Sequence, residues 1–570
     1  MEISTIPFSV LYILIFGFWF VKTSRQIMFW LYLWQLKEYH WGRFADHFTT
    51  QKGKSLLVNR LILIKLVFLS AGVALLLLAS INRAGLFNID ALYDFSYPQQ
   101  FMMLVLILAI LAVFGIEAVY SVYLSLRGKL LRPESTKKSL MLVLVSHTVL
   151  FGGAMLVFAL FLGEMSLADF FLAALSLLLL DILAPALIAA VVMGLQPLTI
   201  YEKNKILARA AAVIFKQSDL MVIGIAGSYG KSITKELLAH ILAHDFCVLK
   251  TLANQNTEMG VASRIINDLK PEHQIFVCEI GAVHKGRIAQ VAGIVKPRIG
   301  ILAGINQQHL AVFGSQQNII DAKYEILEAL PKTGTAILNW ESRLVGESFE
   351  LQKDQIKAQK IVFVGRDIVA ARINSVADQL SFAAGYQGKT FQIKTNARGA
   401  FMAEPILLAI AGAMAAGMKF ERAVEIINQT DFTPFNIATL KNKAGINIVS
   451  STYSANPDGV LSHLDYLKLW AGKKALIMPC IIELGSASRG VHFEIGKKIA
   501  QVCDLVAVTT QERFGDIKKG AVGAGMKEEN IIFSENPAKI DKIIKNRLTA
   551  GDTILLEGRL ASPIIDIVKK

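Results

Sequence analysis

A lysine and a serine that close a glycine-rich turn are the residues of this chain best equipped for chemistry. The run Gly224-Ile-Ala-Gly227-Ser228-Tyr-Gly230-Lys231-Ser232 follows the apolar stretch 220–225 and opens the amphipathic stretch 233–242. Strand, glycine turn and helix together aim backbone N–H groups and a helix N-terminus at phosphate oxygens. The run therefore predicts a cradle made by Gly227, Ser228 and Gly230. Lys231 reaches the β/γ-phosphates of a nucleotide and the Ser232 hydroxyl takes a magnesium ion. Ile225 stands five residues before Gly230, and the glycines fall at 224, 227 and 230, so the loop is tighter than the general nucleotide-binding spacing.

More polar positions follow in order. Thr251-Leu-Ala-Asn254-Gln-Asn256-Thr257 is an amide-rich turn, and Phe276-Val-Cys-Glu279-Ile-Gly281-Ala282 is an apolar strand ending in a carboxylate. A carboxylate at a strand's C-terminal end lies in the crevice where α/β folds bind ligands, and it suits magnesium. Asn306-Gln-Gln-His309 precedes a helix holding Asp321, Lys323 and Glu325; farther on come Tyr453-Ser-Ala455-Asn456-Pro457-Asp458, Ile482-Glu483-Leu484-Gly485 and His492. Read singly, a lysine among carboxylates is a solvated helix face and Asn-Pro-Asp is a turn.

The elements that position these residues are legible from apolar patterning. Strand-type runs at 220–226, 274–280, 298–302, 335–338 and 361–364 alternate with helical ones, which predicts a parallel α/β sheet. After a break at Thr430-Asp-Phe-Thr-Pro434, a second set follows at 446–450, 475–479, 505–509, 531–533 and 553–556. The expected organisation is a helical region at 1–195, a basic connecting helix at 196–219, and α/β domains at 220–434 and 435–570. Four scattered cysteines (Cys247, Cys278, Cys480, Cys503) have no metal spacing and read as reduced core residues.

Before residue 200 the chain belongs to a different solvent. Hydrophobic residues make up 54% of its 570 positions, and the excess lies in five runs near 7–21, 61–80, 101–124, 139–163 and 170–195. Runs of roughly twenty residues cross a hydrocarbon core of ~30 Å; the first is short, and the aromatic run Phe29-Trp30-Leu-Tyr32-Leu-Trp34 either continues it or lies in the interface. No basic n-region or small-residue cleavage site marks the first run as a secretory signal. The segments 22–60 and 125–138 carry twelve Lys and Arg, including Lys22 and Arg25, against Arg83 alone in the loops 81–100 and 164–169, which hold Asp90, Asp94, Glu164 and Asp169. This asymmetry predicts an external N-terminus and a cytoplasmic chain after about residue 196. The formal net charge of +14 accordingly points to an anionic inner leaflet rather than nucleic acid. Inside the spans Glu117 and His147 sit at similar depth and suggest a pair, Asp181 is a third buried polar group, and Lys65 lies near enough to the inner end to snorkel.

In order and spacing, the motifs from 218 to 565 resemble the Mur ligase superfamily, and within it the UDP-N-acetylmuramoyl-tripeptide:D-alanyl-D-alanine ligases. The resemblance implies ATP-dependent amide-bond formation through an acyl phosphate, with ATP and Mg2+ as cofactors. It implies that Gly227, Gly230 and Lys231 hold phosphates, that Ser232 and Glu279 hold one magnesium, and that His309 and a carbamylated Lys323 hold a second. It places Lys231, His309 and Lys323 at the catalytic centre and Asn456 in the nucleotide cleft.

The chain departs from that pattern in a consistent direction. Helices replace the domain that binds the uridine nucleotide. Ala226 and Thr257 replace a threonine and an asparagine, and 399–406 lacks the expected His-Asn. Asn436-Ile-Ala replaces Gly-Arg, Ser450-Ser451-Thr452 replaces an acidic pair, and Leu556-Glu557-Gly558-Arg559 replaces Leu-Lys-Gly-Ser. The phosphate and metal side is kept while the adenine, ribose and substrate sides have changed. The expected substrate is a peptide or amino acid, membrane-proximal or lipid-linked, and other cell-wall enzymes are candidate partners. Two alternatives stand beside it: a ligase for another envelope polymer such as polyglutamate, and a degenerate ATP-binding scaffold at the membrane. An ATP-driven transporter is disfavoured, since nothing resembles the signature segment of that class.

Overall fold

Apolar runs without a polar face fold as helices that satisfy their own backbone groups, and the first part of the chain is built this way. The computed structural model describes residues 8–37, 39–48, 51–81, 97–161, 166–253 and 255–569. It divides into two compact units, Met1–Glu202 and Lys203–Lys570. The first holds α1 (Phe8–Leu36), α2 (Trp41–His47), α3 (Gln51–Leu57), α4 (Arg60–Ile81), α5 (Tyr97–Leu126), α6 (Lys137–Leu160), α7 (Leu167–Gly194) and the start of α8 (Gln196–Phe215). Five helical stretches among the described residues are long and apolar enough to cross a membrane, judged by length and composition. Trp19, Trp34, Phe114, Phe170 and Phe171 are fully buried between them.

The polar groups of this unit are arranged differently from the sequence expectation. Lys22 of α1, Lys65 of α4, Glu117 of α5 and Asp181 of α7 are all buried and form a ring of alternating charge. The Lys65 ammonium lies 2.6 Å from Glu117 Oε2 and 2.8 Å from Asp181 Oδ2, while Lys22 pairs with Asp181 and stands 3.7 Å from Glu117 Oε2. His147 is not Glu117's partner; its Nδ1 bonds Val143 O of its own helix at 2.8 Å and its ring stacks on Phe151. Nor does Lys65 snorkel. The reason is the length of α1, which continues through the aromatic run 29–34 and carries Lys22 inward, out of the loop in which it was counted. Two carboxylates facing two lysines then satisfy one another, as buried charges must. Arg83, Asp90, Asp94 and Glu164 lie outside the described residues.

The second unit is α/β. Its first part runs β1 (Met221–Ala226), α9 (Lys231–Leu242), β2 (Val248–Lys250), α10 (Glu258–Asp268), β3 (Ile275–Glu279), α11 (Arg287–Val295), β4 (Ile299–Leu302), α12 (Leu310–Phe313) and α13 (Gln316–Glu328). It continues with β5 (Thr335–Asn339), α14 (Arg343–Gln352), β6 (Lys360–Val364), β7 (Ile368–Val376), β8 (Gln379–Tyr386), β9 (Lys389–Thr395), α15 (Ala403–Ala415) and α16 (Phe420–Gln429). The strands lie in the order β2-β3-β1-β4-β5-β6-β7-β8-β9. Strands β1 to β6 are parallel and β7 to β9 form an antiparallel meander. The sequence reading missed the meander because residues such as Arg372, Asn374 and Gln379 are exposed, which breaks the continuous apolar runs that mark a doubly covered strand. Leu237, Leu238 and Ile241 of α9 pack with Ile406 and Ile410 of α15 in one core layer, and Ile319, Tyr324 and Ile326 of α13 lie in the other.

The second part holds β10 (Ala438–Lys441), β11 (Asn447–Ser451), α17 (Pro457–Leu467), β12 (Lys474–Met478), α18 (Ser488–Val502), β13 (Leu505–Val508), α19 (Phe514–Gly523), β14 (Ile531–Phe533), α20 (Pro537–Arg547), β15 (Thr553–Glu557) and α21 (Ser562–Lys569). Its sheet has the order β10-β11-β15-β12-β13-β14, antiparallel only at β10. Cys278, Cys480 and Cys503 are buried thiols, whereas Cys247 is exposed.

Candidate active site

In the first sheet the chain leaves β1, builds β2 and β3 on one side, and returns to β4 on the other. The ends of β1 and β4 therefore flank a topological switch point, the crevice where such sheets bind ligands. The loop after β1 fits against the loop after β4 only because it is glycine-rich. A Cβ on Gly227 would meet Gly304 O at 2.9 Å, and Ser228 N donates to that same oxygen at 2.6 Å. Gly230 has φ 77° and caps α9 without a side chain, a conformation glycine adopts without strain. The first turn of α9 begins at Lys231, so its free N–H groups face the loop. Lys231 Nζ reaches back to Ser228 O at 3.1 Å, and burial holds its pKa below the ordinary lysine value despite nearby Glu279. Ser232, in the same turn, is exposed.

Glu279 ends β3 beside Ile225 of β1 and is buried. Its Oε1 accepts from Asn256 Nδ2 at 3.0 Å, its backbone N donates to Thr251 Oγ1 at 3.0 Å, and Lys235 Nζ lies 3.5 Å from its Oε2. Lys323 is buried on α13, donates to Ala282 O at 3.2 Å and lies 5.6 Å from the Phe313 ring centre. Burial, helped by the charge on Lys231, pushes its pKa down to about 7. This lysine is therefore no solvated helix face. Glu325, its neighbour in sequence, turns away to accept from the backbone N–H groups of Gly286 and Ala289 at 2.6 and 2.8 Å.

His309 belongs to a different contact. It has φ 64° and its Nδ1 bonds the Glu483 carboxylate, itself on a residue with φ 63°. Ala311 N donates to Glu483 O at 3.1 Å, and Asn306 Nδ2 donates to Asn456 Oδ1 at 3.0 Å and Asp458 Oδ2 at 2.7 Å. Asn456 also caps α17 by accepting from Gly459 N at 3.0 Å. The loop after β4 thus touches the glycine loop through Gly304 and the C-terminal domain through Asn306 and His309. Two non-glycine residues held at positive φ and bonded to one another are a feature that concentrates at functional sites.

Magnesium demands oxygen ligands. Ser232 Oγ and the Glu279 carboxylate, beside the glycine loop, fit one ion. His309 and Lys323 do not make a second site as they stand, because an amine does not ligate magnesium; Glu483 occupies only the Nδ1 of His309 and orients its ring. Only conversion of Lys323 to a carbamate supplies the oxygen. No group of three or more His, Cys, Asp and Glu side chains with metal-site geometry occurs among the described residues. One residue, Lys235, and one pairing escaped the sequence reading. Lys235 sits one turn after Lys231 on the same helix face, a spacing that signals it, while the pairing of Glu483 with His309 has no local signal.

Comparison with known proteins identifies the family of the two α/β domains. Residues 225–413 match the Mur ligase middle domain and 437–560 the Mur ligase glutamate ligase domain, together over half of the chain. A relative named UDP-N-acetylmuramoyl-tripeptide–D-alanyl-D-alanine ligase, from Synechocystis, is 28% identical over 349 residues, which cover 59% of this chain and 71% of the relative. The MurF structure from Acinetobacter baumannii superposes with a TM-score of 0.58 at 25% identity, over 65% of this chain and 81% of that one. The MurF ligase of Thermotoga maritima in complex with ADP superposes with a TM-score of 0.56 at 24% identity, over 64% and 83% respectively.

Proposed function

Because the chain belongs to the Mur ligase family, we propose that it is a membrane-anchored, ATP-dependent amide ligase of the MurF type, acting in peptidoglycan precursor synthesis. The observation that carries the reading is the convergence of the glycine loop, Lys231, Glu279 and the buried Lys323 at one end of one sheet. The donor is a peptide with a free carboxylate and the acceptor an amino acid or dipeptide amine. The retained phosphate side supports the ATP half of this reaction more strongly than the identity of the acceptor.

In the first step a carboxylate oxygen bonds to the γ-phosphorus as the bond to the β-bridging oxygen breaks, giving an acyl phosphate and ADP. Next the amine lone pair attacks the acyl carbon, phosphate leaves with the bonding electrons, and the nitrogen loses a proton. The N–H groups of the loop and of α9 hold the phosphate oxygens, and Lys231 neutralises the charge gathering on the transferred group. A magnesium ion held by Ser232 and Glu279 would supply further charge stabilisation when bound. Asn306, Asn456 and Asp458 set how the C-terminal domain meets the crevice.

The helical unit supports a position at the membrane. Its five long apolar helices and the bias of Lys and Arg toward alternate loops fit a multi-pass protein with an external N-terminus and cytoplasmic α/β domains. A lipid-linked or membrane-proximal substrate suits that placement. The test is phosphate release by the purified chain with candidate acceptors added one at a time. Acceptor-dependent release that is lost in Lys231→Ala and Glu279→Ala is expected. Equal turnover in these variants would move the catalytic centre elsewhere.

A further inference from the structure

On the nucleoside side, where the chain departs from its family, the structure holds a carboxylate–imidazole pair that the phosphate chemistry does not use. Glu557 ends β15 in the position where the family pattern has lysine. It is directly paired in register with Ser451 of β11, one of the residues standing in place of the acidic pair. Its carboxylate is 1% exposed; Oε2 is 2.7 Å from His463 Nδ1, and Oε1 has no hydrogen-bond partner. A carboxylate accepts, so the ring presents its Nδ1 proton to Glu557, and in the neutral tautomer this leaves Nε2 as an acceptor. His463 is 17% exposed at its side chain, and its ring packs edge-on against Phe401 with centroids 5.4 Å apart. Phe401 belongs to the single turn Ala400–Met402 before α15, where the family amide is missing.

His463 lies on the same helix, α17, as the residues that meet the loop after β4. Asn456 and Asp458, bound to Asn306, occupy the start of α17, and His463 follows seven residues after Asn456, about 10 Å along the axis. That offset is the reach of a nucleoside from its phosphates.

We propose that His463, oriented by Glu557 and packed on Phe401, recognises the nucleoside of the bound triphosphate by accepting a hydrogen bond from one of its donors. The donor is either the exocyclic amine of the base or a ribose hydroxyl. The acidic pair and the amide lost elsewhere are thereby replaced by an acceptor one strand over. This inference rests on the nucleotide reading given above.

Equilibrium binding to the full-length protein tests it, with ATP, GTP, 2′-deoxy-ATP, 3′-deoxy-ATP and inorganic triphosphate as probes. His463→Ala is expected to weaken ATP about tenfold and leave inorganic triphosphate unchanged, since a site built around a donor loses most when the partner is removed. His463→Gln, which keeps an acceptor, recovers part of the loss. In the wild type, weakened GTP binding assigns the donor to the base, and weakened binding of a deoxy analogue assigns it to the sugar. ATP binding unaltered by His463→Ala overturns the proposal, as does an equal loss for ATP and triphosphate, which marks a structural role. Wild-type protein that binds triphosphate but treats all four nucleotides alike overturns this inference alone. Failure to bind triphosphate or any nucleotide removes the nucleotide reading and this proposal together.

Discussion

Lys323 should be a residue whose removal abolishes activity and stabilises the fold. Its pKa of about 7, against an ordinary value of 10.5, means that the unfolded chain binds more protons between those pH values. Wild-type stability therefore rises with pH across that window. At 1.36 kcal/mol per unit, the shift amounts to about 4–5 kcal/mol of destabilisation at pH 7. Lys323→Met keeps most of the volume, removes the ammonium, and gives up the hydrogen bond to Ala282 O, worth about 1 kcal/mol. In metal-free, carbonate-free buffer the variant should gain about 3 kcal/mol at pH 7, and the gain should vanish as pH approaches 10.5. Denaturant unfolding of wild type and variant in parallel at pH 7, 8.5 and 10 measures it, and phosphate release from the same preparations measures activity. A variant less stable than wild type by a margin independent of pH would show that the buried amine carries no charge penalty.

Three other outcomes follow from the geometry. Gly227→Ala should abolish nucleotide binding, because its Cβ would meet Gly304 O at 2.9 Å at φ 150°; binding within threefold of wild type would show that the two loops separate freely. Lys65→Met should destabilise the helical unit by about 3–5 kcal/mol by leaving buried carboxylates short of a cation. The double variant Lys65→Met/Glu117→Gln should lose less in the same thermal unfolding measurement, and an equal or larger loss would contradict the charge-ring account. A topology reporter fused after residue 90 should read external, and fusions after 130 or 205 cytoplasmic; a cytoplasmic signal at 90 breaks the five-span arrangement.

The glycine loop was legible in the sequence because its chemistry depends on contiguous residues between a strand and a helix, and β1 and β3 to β6 were legible because both faces are covered. Beyond local runs the pattern gave less. The carboxylates around Lys323 suggested a solvated face, yet α13 buries that lysine, since Glu325 is occupied with the N-terminus of α11. Which lysines meet Glu117 and Asp181 depends on how far α1 extends and how four helices rotate, information that no single span contains. The pairing of His309 with Glu483, 174 positions apart, depends on how two domains meet. The substitution of Glu557 for lysine was visible, but not that His463 waits beside it.

If an acyl phosphate forms at the Lys231 cradle, an oxygen of the donor carboxylate must pass to the released phosphate, and isotopic labelling follows that transfer. With the donor peptide carboxylate labelled with heavy oxygen, the mass of the released phosphate is read after turnover with ATP and acceptor. One labelled oxygen per phosphate is expected in wild type, with no turnover in Lys231→Ala. Phosphate released without label while the amide forms would contradict the acyl phosphate, since the carboxylate would then never have been bonded to the γ-phosphorus.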